Sequence, residues 1–363
     1  MNYSIDIRSK TPAYLQLYNL LKNDITAGIY PYGVKLPSKR VTADETGVSV
    51  ITVEHAMQLL AEEGYIESRE KSGYFVSYRE KDFQGIAASA ASDVSEGKAA
   101  SPLHKSEFPY SVLAKNMRRA LANYGPQILE KSPNSGLLVL REAICSYLAR
   151  SRAMEVQPQQ VIIGSGAEYL YSLIAQLFGG RRVFALEDPS YAKIRDVYEA
   201  YGIKCDMLKL TRSGIDSAAL KKTKAKLLHT TPFNSYPSGV TVSVSKKKEY
   251  LRWAQERGGV IIEDNYDSEL TVSHKAEDSL FAMSEGKNVV YLNTFSHTIA
   301  PSVRIGYMIL PKDMTGDFEK KLGFYSCTVP VFEQYVLTDM INSGDFERHI
   351  NRVRRRKRKE LQL

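Results

Sequence analysis

At 363 residues the chain exceeds one ordinary domain, and its 43% hydrophobic content is that of a globular protein. No apolar run approaches the roughly 18 residues a membrane helix needs. The start, Met1-Asn2-Tyr3-Ser4-Ile5-Asp6-Ile7, lacks a basic-then-apolar signal pattern, so neither membrane insertion nor secretion is expected. The net charge of +8 is concentrated at one end: residues 348–363 carry eight basic side chains and one acid, Glu360, which leaves +1 for the other 347 residues. Such a run reads as a solvated helix face or tail, with a nucleic-acid role as the other option. Cys145, Cys205 and Cys327 are odd in number and far apart. They read as packed thiols in a reducing, cytoplasmic setting, without a zinc motif.

In chain order, Tyr14, Leu17, Tyr18, Leu21 and Ile25 recur at helical spacing, and Gly28 ends the run. Ser38 reads as the N-cap of a short helix through Thr46, stopped at Gly47. Ser49 reads as the next N-cap, and Val53, Ala56, Met57 and Leu60 form one apolar face up to Gly64. Residues 65–69 and 73–76 read as two short strands joined by a polar turn. The first domain therefore spans residues 1–78. Residues 79–107 are small and polar, as in Ala87-Ala88-Ser89-Ala90-Ala91-Ser92, and read as a linker.

Beyond it, helical patterns alternate with apolar runs at 161–163, 182–186, 226–229, 260–262 and 288–292. That alternation predicts an α/β domain over 108–363, with a mainly parallel sheet wrapped by helices.

The order helix, short helix, tight turn, helix, hairpin is that of a winged helix-turn-helix. Leu36-Pro37-Ser38-Lys39-Arg40, Val48 through Ala56, Leu60 through Ile66 and Gly73-Tyr74-Phe75-Val76 together resemble the GntR family of bacterial repressors. The resemblance implies binding to a double-stranded DNA operator. Ser38, Lys39 and Arg40 fall at the phosphate-contacting end, Ser49, Ile51 and Thr52 at the start of the recognition helix, and Arg69 and Lys71 in the wing. Two departures stand out. Val50 occupies a position where that family commonly has arginine, and residues 1–80 hold nine basic and ten acidic side chains.

The segment Asn293-Thr294-Phe295-Ser296-His297 through Pro301, Arg304, Gly306 and Tyr307 resembles the cofactor-lysine segment of fold-type I aminotransferases. In that family the lysine forms a Schiff base with pyridoxal phosphate (PLP). Here His297 stands in its place, and imidazole has no primary amine to form the imine. Other loops carry the resemblance in the family's order. Gly164-Ser165-Gly166-Ala167-Glu168 follows an apolar run and opens a helix whose free N–H groups suit a phosphate. Within Glu187-Asp188-Pro189-Ser190-Tyr191, Tyr191 is the candidate to stack on the pyridine ring. Thr231 through Gly239 offers Asn234 as a polar contact. In Glu263-Asp264-Asn265-Tyr266, Asp264 is the candidate partner of the pyridine nitrogen and Tyr266 of the ring's phenolic oxygen. Ser296 and Arg304 would complete the phosphate cradle. Lys193 is a candidate cation for an amino-acid carboxylate.

A GntR-like unit joined to an aminotransferase-like domain is the architecture of the MocR/GabR regulators. The resemblance implies a DNA-binding transcription regulator that senses PLP or a PLP–amine adduct, without covalent attachment, and that forms a homodimer. Leu363 falls within what resembles the basic helix leading to that family's small C-terminal subdomain, so a truncated large domain is expected. A working aminotransferase would need lysine at position 297. A third reading is a regulator whose large domain serves only for dimerisation.

Overall fold

Helix α1 (Ala13–Thr26) forms where the apolar spacing predicts it, turning Leu17, Tyr18, Leu21 and Ile25 inward. Next come α2 (Lys39–Thr46) and α3 (Val50–Glu62), each capped by the expected serine. The Ser38 hydroxyl accepts from the Val41 N–H, and the Ser49 hydroxyl from the Thr52 N–H. Gly47, at φ 68°, ends α2 in the left-handed conformation. Strands β1 (Ile66–Arg69) and β2 (Gly73–Val76) pair antiparallel, with Ile66 opposite Val76. The inner faces meet in one small core around Leu17, Leu21, Val53, Ala56, Met57 and Leu60. Each fully buried aliphatic side chain there contributes roughly 1.5–3 kcal/mol.

The computed structural model describes residues 3–6, 9, 11–69, 72–78, 108–180, 182–271 and 278–361. The chain divides into two compact units, Met1–Ser101 and Pro102–Leu363. The linker expected at 79–107 lies outside the described residues, as does Lys71.

The second unit opens with α4 (Tyr110–Tyr124) and α5 (Leu138–Arg152), and then alternates. Strand β3 (Val161–Gly164) leads into α6 (Ala167–Phe178), and β4 (Val183–Asp188) into α7 (Ala192–Ala200). After β5 (Lys204–Thr211), β6 (Gly214–Ile215) and α8 (Ser217–Lys222) come β7 (Leu227–Thr230) and α9 (Val244–Arg257). Strand β8 (Val260–Asp264), α10 (Leu280–Met283), β9 (Val289–Thr294) and β10 (Gly306–Ile309) follow. Helices α11 (Thr315–Leu322), α12 (Val331–Asn342) and α13 (Asp345–Leu361) complete it.

The eight strands form one sheet in the order β3-β10-β9-β8-β7-β4-β5-β6. The predicted parallel core is present, since β4, β7, β8 and β9 pair parallel in turn, and β5, which no apolar run marks, joins it parallel to β4. The apolar run at 161–163 departs from that expectation. As β3 it pairs antiparallel with β10, a strand that the apolar runs do not mark. Both β3 and β9 are antiparallel to β10, so they point the same way. The carboxyl ends of β3, β4, β7, β8 and β9 therefore share one edge of the sheet. Alternating side chains fill cores on both faces: Ala185, Leu228 and Ile261 on one, Phe184, Leu227 and Ile262 on the other.

The segment before α5 pins the outer strand. Ser135 accepts from the Ile163 N–H at 3.0 Å, and Gly136 sits at φ 96° where a Cβ would fall 2.4 Å from Ile163 Cγ1. The three cysteines are free and half-buried, and burial pushes the Cys145 and Cys205 thiols up to about 11. The basic run forms much of α13. Phe346, Ile350 and Val353 tie that helix into the core, and Arg355 and Arg356 are exposed. Among the described residues, no helix is long and apolar enough to cross a membrane.

Candidate functional site

In the first unit the expected nucleic-acid contacts gather at the starts of α2 and α3. Ser38 and Arg40 are exposed beside the α2 N-terminus, and Ser49 and Ile51 are exposed at the first turn of α3. Helix N-termini present unpaired N–H groups to phosphate. Lys39 is engaged within the unit: its ammonium pairs with Glu54 on α3 and lies 5.6 Å from the centre of the Tyr74 ring. Arg69 pairs with Glu67 at 2.6 Å and covers the Phe75 ring at 4.4 Å. These local pairs neutralise Glu54 and Glu67 and engage Lys39 and Arg69 in return, which leaves Arg40 as an exposed cation beside the two helix starts.

In the second unit, the loops at the shared carboxyl edge bring the other candidates together. Gly166 is the N-cap of α6 at φ 89°, with Ala167 the first helical residue. A Cβ on Gly166 would lie 2.9 Å from Arg304 Nη2, so only glycine lets the arginine lie over this helix start. The Arg304 guanidinium donates to Glu168 at 2.5 Å, and Lys193 pairs with the same carboxylate at 2.9 Å. Burial opposes ionisation of Glu168, but Lys193, its own backbone N–H and Arg304 outweigh it and hold the carboxyl down at about 2.

Asp264, at the carboxyl end of β8, is 3% exposed. It accepts a hydrogen bond from the Tyr171 hydroxyl, and His229 Nε2 lies 3.6 Å away. His229 Nδ1 is 2.7 Å from the Tyr198 hydroxyl. When Tyr198 donates, Nε2 carries the proton and turns it toward Asp264.

Three loops interlock around position 297. His297 Nδ1 lies 3.1 Å from Asp267 Oδ1, and the Asn234 amide donates to the other carboxylate oxygen. The Tyr266 hydroxyl donates to the Asn234 carbonyl at 2.8 Å, and its ring meets the imidazole edge-on at 5.6 Å. Asp267 is buried, which raises a carboxyl. The hydrogen bond from His297, its charge and Asn234 more than offset this, with Lys357 of α13 adding a further pull, so its pKa is lowered. Ser296 donates to the Val303 carbonyl at 2.7 Å, closing the turn that carries His297. Tyr191 is exposed and packs edge-on against Tyr236 at 6.2 Å.

Sequence reasoning missed Asp267, which orients His297. It also missed Glu187, a wholly enclosed carboxylate at the end of β4. Glu187 accepts from Thr230 Oγ1 at 2.5 Å, Ser235 Oγ at 2.7 Å and the Thr231 N–H at 3.2 Å, so it anchors the loop that carries Asn234. An acid at the end of β4, and one in the loop just past β8, were the available signals, but neighbouring acids in both segments made the choice ambiguous.

A winged helix together with a fold-type I aminotransferase-like α/β unit defines a DNA-binding regulator built around an enzyme fold. Residues 13–76 match the family "Bacterial regulatory proteins, gntR family", and residues 100–362 match "Aminotransferase class I and II". The HTH-type transcriptional regulator YdeL of Bacillus subtilis is 33% identical over 99% of this chain and 79% of that protein. The probable rhizopine catabolism regulatory protein MocR of Rhizobium meliloti is 26% identical over 97% and 76%. Among solved structures, the kynurenine aminotransferase of Pyrococcus horikoshii is 26% identical with a TM-score of 0.63, over 68% of this chain and 64% of that one, so the chain spans under two thirds of that enzyme. The chain belongs to the aminotransferase class I and II family and, with its gntR-family domain, is a MocR-type transcription regulator.

Proposed function

We propose that the large unit binds PLP or a PLP–amine adduct without a covalent link to position 297, and that occupancy biases DNA binding by the winged helix. The reading is supported first by Asp264, a buried acid held by Tyr171 and His229 at the end of the sheet where α/β proteins bind ligands. Bound PLP would supply an electrophilic aldehyde and a ring nitrogen that is electron-withdrawing when protonated. Asp264 would accept a hydrogen bond from that nitrogen and so keep the proton on it. The α6 N-terminus and Arg304 would hold the phosphate, with the 52% exposed Arg304 side chain exchanging Glu168 for it. Tyr191 would cover one face of the ring, and Asn234, Tyr266 and Ser296 hold the surrounding loops in register. His297, oriented by Asp267, offers a hydrogen bond where the family's lysine offers an amine, so transamination is absent.

The same reading includes a homodimer formed through the large unit, because two linked winged helices raise the effective concentration of the second at its half-site. A cytoplasmic setting fits a regulator of duplex DNA with three free thiols. The test is an ultraviolet–visible titration of the purified chain with PLP. The reading requires saturable spectral change that Asp264→Ala abolishes, with no pyridoxyl group at position 297 after borohydride treatment. A flat titration of folded protein would overturn it.

A further inference from the structure

The recognition helix carries an unusual reading edge. Its inner stripe, Val53, Ala56, Met57 and Leu60, is buried. The outward stripe is led by Ile51 and continues through Glu54, His55 and Gln58, at i, i+3, i+4 and i+7. Most polar groups near its start are already engaged. The Ser49 hydroxyl caps the helix at the Thr52 N–H, 3.2 Å away, and lies 2.9 Å from the Thr52 hydroxyl. Glu54 is paired with Lys39. His55 lies edge-on to the Tyr14 ring at 5.7 Å. What projects from the first turn is aliphatic: Val50 is 43% exposed and Ile51 70% exposed.

The first residues of such a helix are those that reach base edges in the major groove. Arginine there reads guanine through O6 and N7, whereas an apolar side chain reads the 5-methyl group of thymine. We propose that Ile51, with Val50 beside it, recognises thymine methyl groups under the first turn of α3, so the operator carries A·T pairs at those steps. The inference rests on the DNA-binding assignment and is independent of PLP.

The experiment uses the full chain and a randomised duplex library. Selection should enrich a half-site with invariant thymines. Each such thymine is then replaced by deoxyuridine, which removes only the methyl group. Burial of one methyl group predicts about fourfold weaker binding by the unaltered protein at the contacted thymine. Ile51→Ala should bind the thymine duplex more weakly and be indifferent to the deoxyuridine exchange, whereas Ile51→Val should keep part of the sensitivity. Because Ile51 is on the surface, both variants should fold, which circular dichroism checks. Enriched sites that tolerate deoxyuridine at every thymine would overturn the inference while leaving DNA binding intact. Equal deoxyuridine sensitivity in Ile51→Ala would also overturn it. Failure to enrich any sequence would overturn both the inference and the DNA-binding assignment.

Discussion

Replacing Glu187 by glutamine should flatten the pH dependence of folding stability between about pH 5 and pH 8. Burial, helped by the nearby charge of Asp264, raises this carboxyl from the ordinary 4.5 to about 7 despite donors from Thr230, Ser235 and the Thr231 backbone. A carboxyl with a folded-state pKa above its unfolded value holds its proton more tightly when folded. Its stabilising contribution is complete below the unfolded value and is lost as pH rises through about 7. Taking the pKa from 4.5 to about 7 corresponds to about 3 kcal/mol at most. For a unit of this size that is roughly 6–12 °C in Tm. Glutamine keeps one acceptor oxygen and removes the charge. Its amide faces the Thr230 and Ser235 hydroxyls imperfectly, but that cost is common to both pH values. The informative quantity is therefore the wild-type-minus-variant difference in Tm at pH 5 against pH 8, measured by calorimetry. It should shift by several degrees, with the unaltered protein losing relative stability at the higher pH. Parallel curves for the two proteins would refute the raised pKa of buried Glu187.

Other outcomes follow from the same geometry. Arg40→Glu should weaken duplex binding across all sequences and reduce the slope of log affinity against log salt by about one, read by fluorescence anisotropy over a salt series. Gly166→Ala forces a methyl group within 2.9 Å of Arg304 Nη2 at φ 89°. It should cost roughly 1–2 kcal/mol of stability and weaken PLP binding, whereas Gly180→Ala, also at positive φ but with open space around it, should leave PLP binding unchanged. Sedimentation at micromolar concentration should show a dimer of the intact chain; a monomer alone would remove the large unit's assembly role.

The winged helix was legible because its determinants are local. Ser38, Gly47 and Ser49 set helix boundaries within a few residues, and the inward stripes follow a 3.6-residue period. The parallel strands β4, β7, β8 and β9 were legible for the same reason, whereas the mostly half-exposed β5 made no apolar run. Strand β10 was not legible either: four residues beginning with Gly306 make too short a run, and its antiparallel pairing comes from neighbours far along the chain. The site divides in the same way. Motif order located Asp264, Tyr266, His297 and Arg304, but not their partners. Tyr171 reaches Asp264 across 93 positions, and Arg304 meets Glu168 across 136, distances that no spacing rule spans. Asp267 was hidden among the acids of its own loop, and its role emerges only where β8 and β9 lie side by side.

The proposed PLP pocket surrounds a position that carries an imidazole in place of an amine. His297→Lys tests it most directly. The purified variant is incubated with PLP, reduced with borohydride and digested, and the peptide containing position 297 is weighed by mass spectrometry. An aldimine absorption band before reduction and a pyridoxyl group on that lysine afterwards are expected, with neither at position 297 of the unaltered protein. A folded variant with no label at position 297, or with label spread over surface lysines alone, would contradict the proposed pocket.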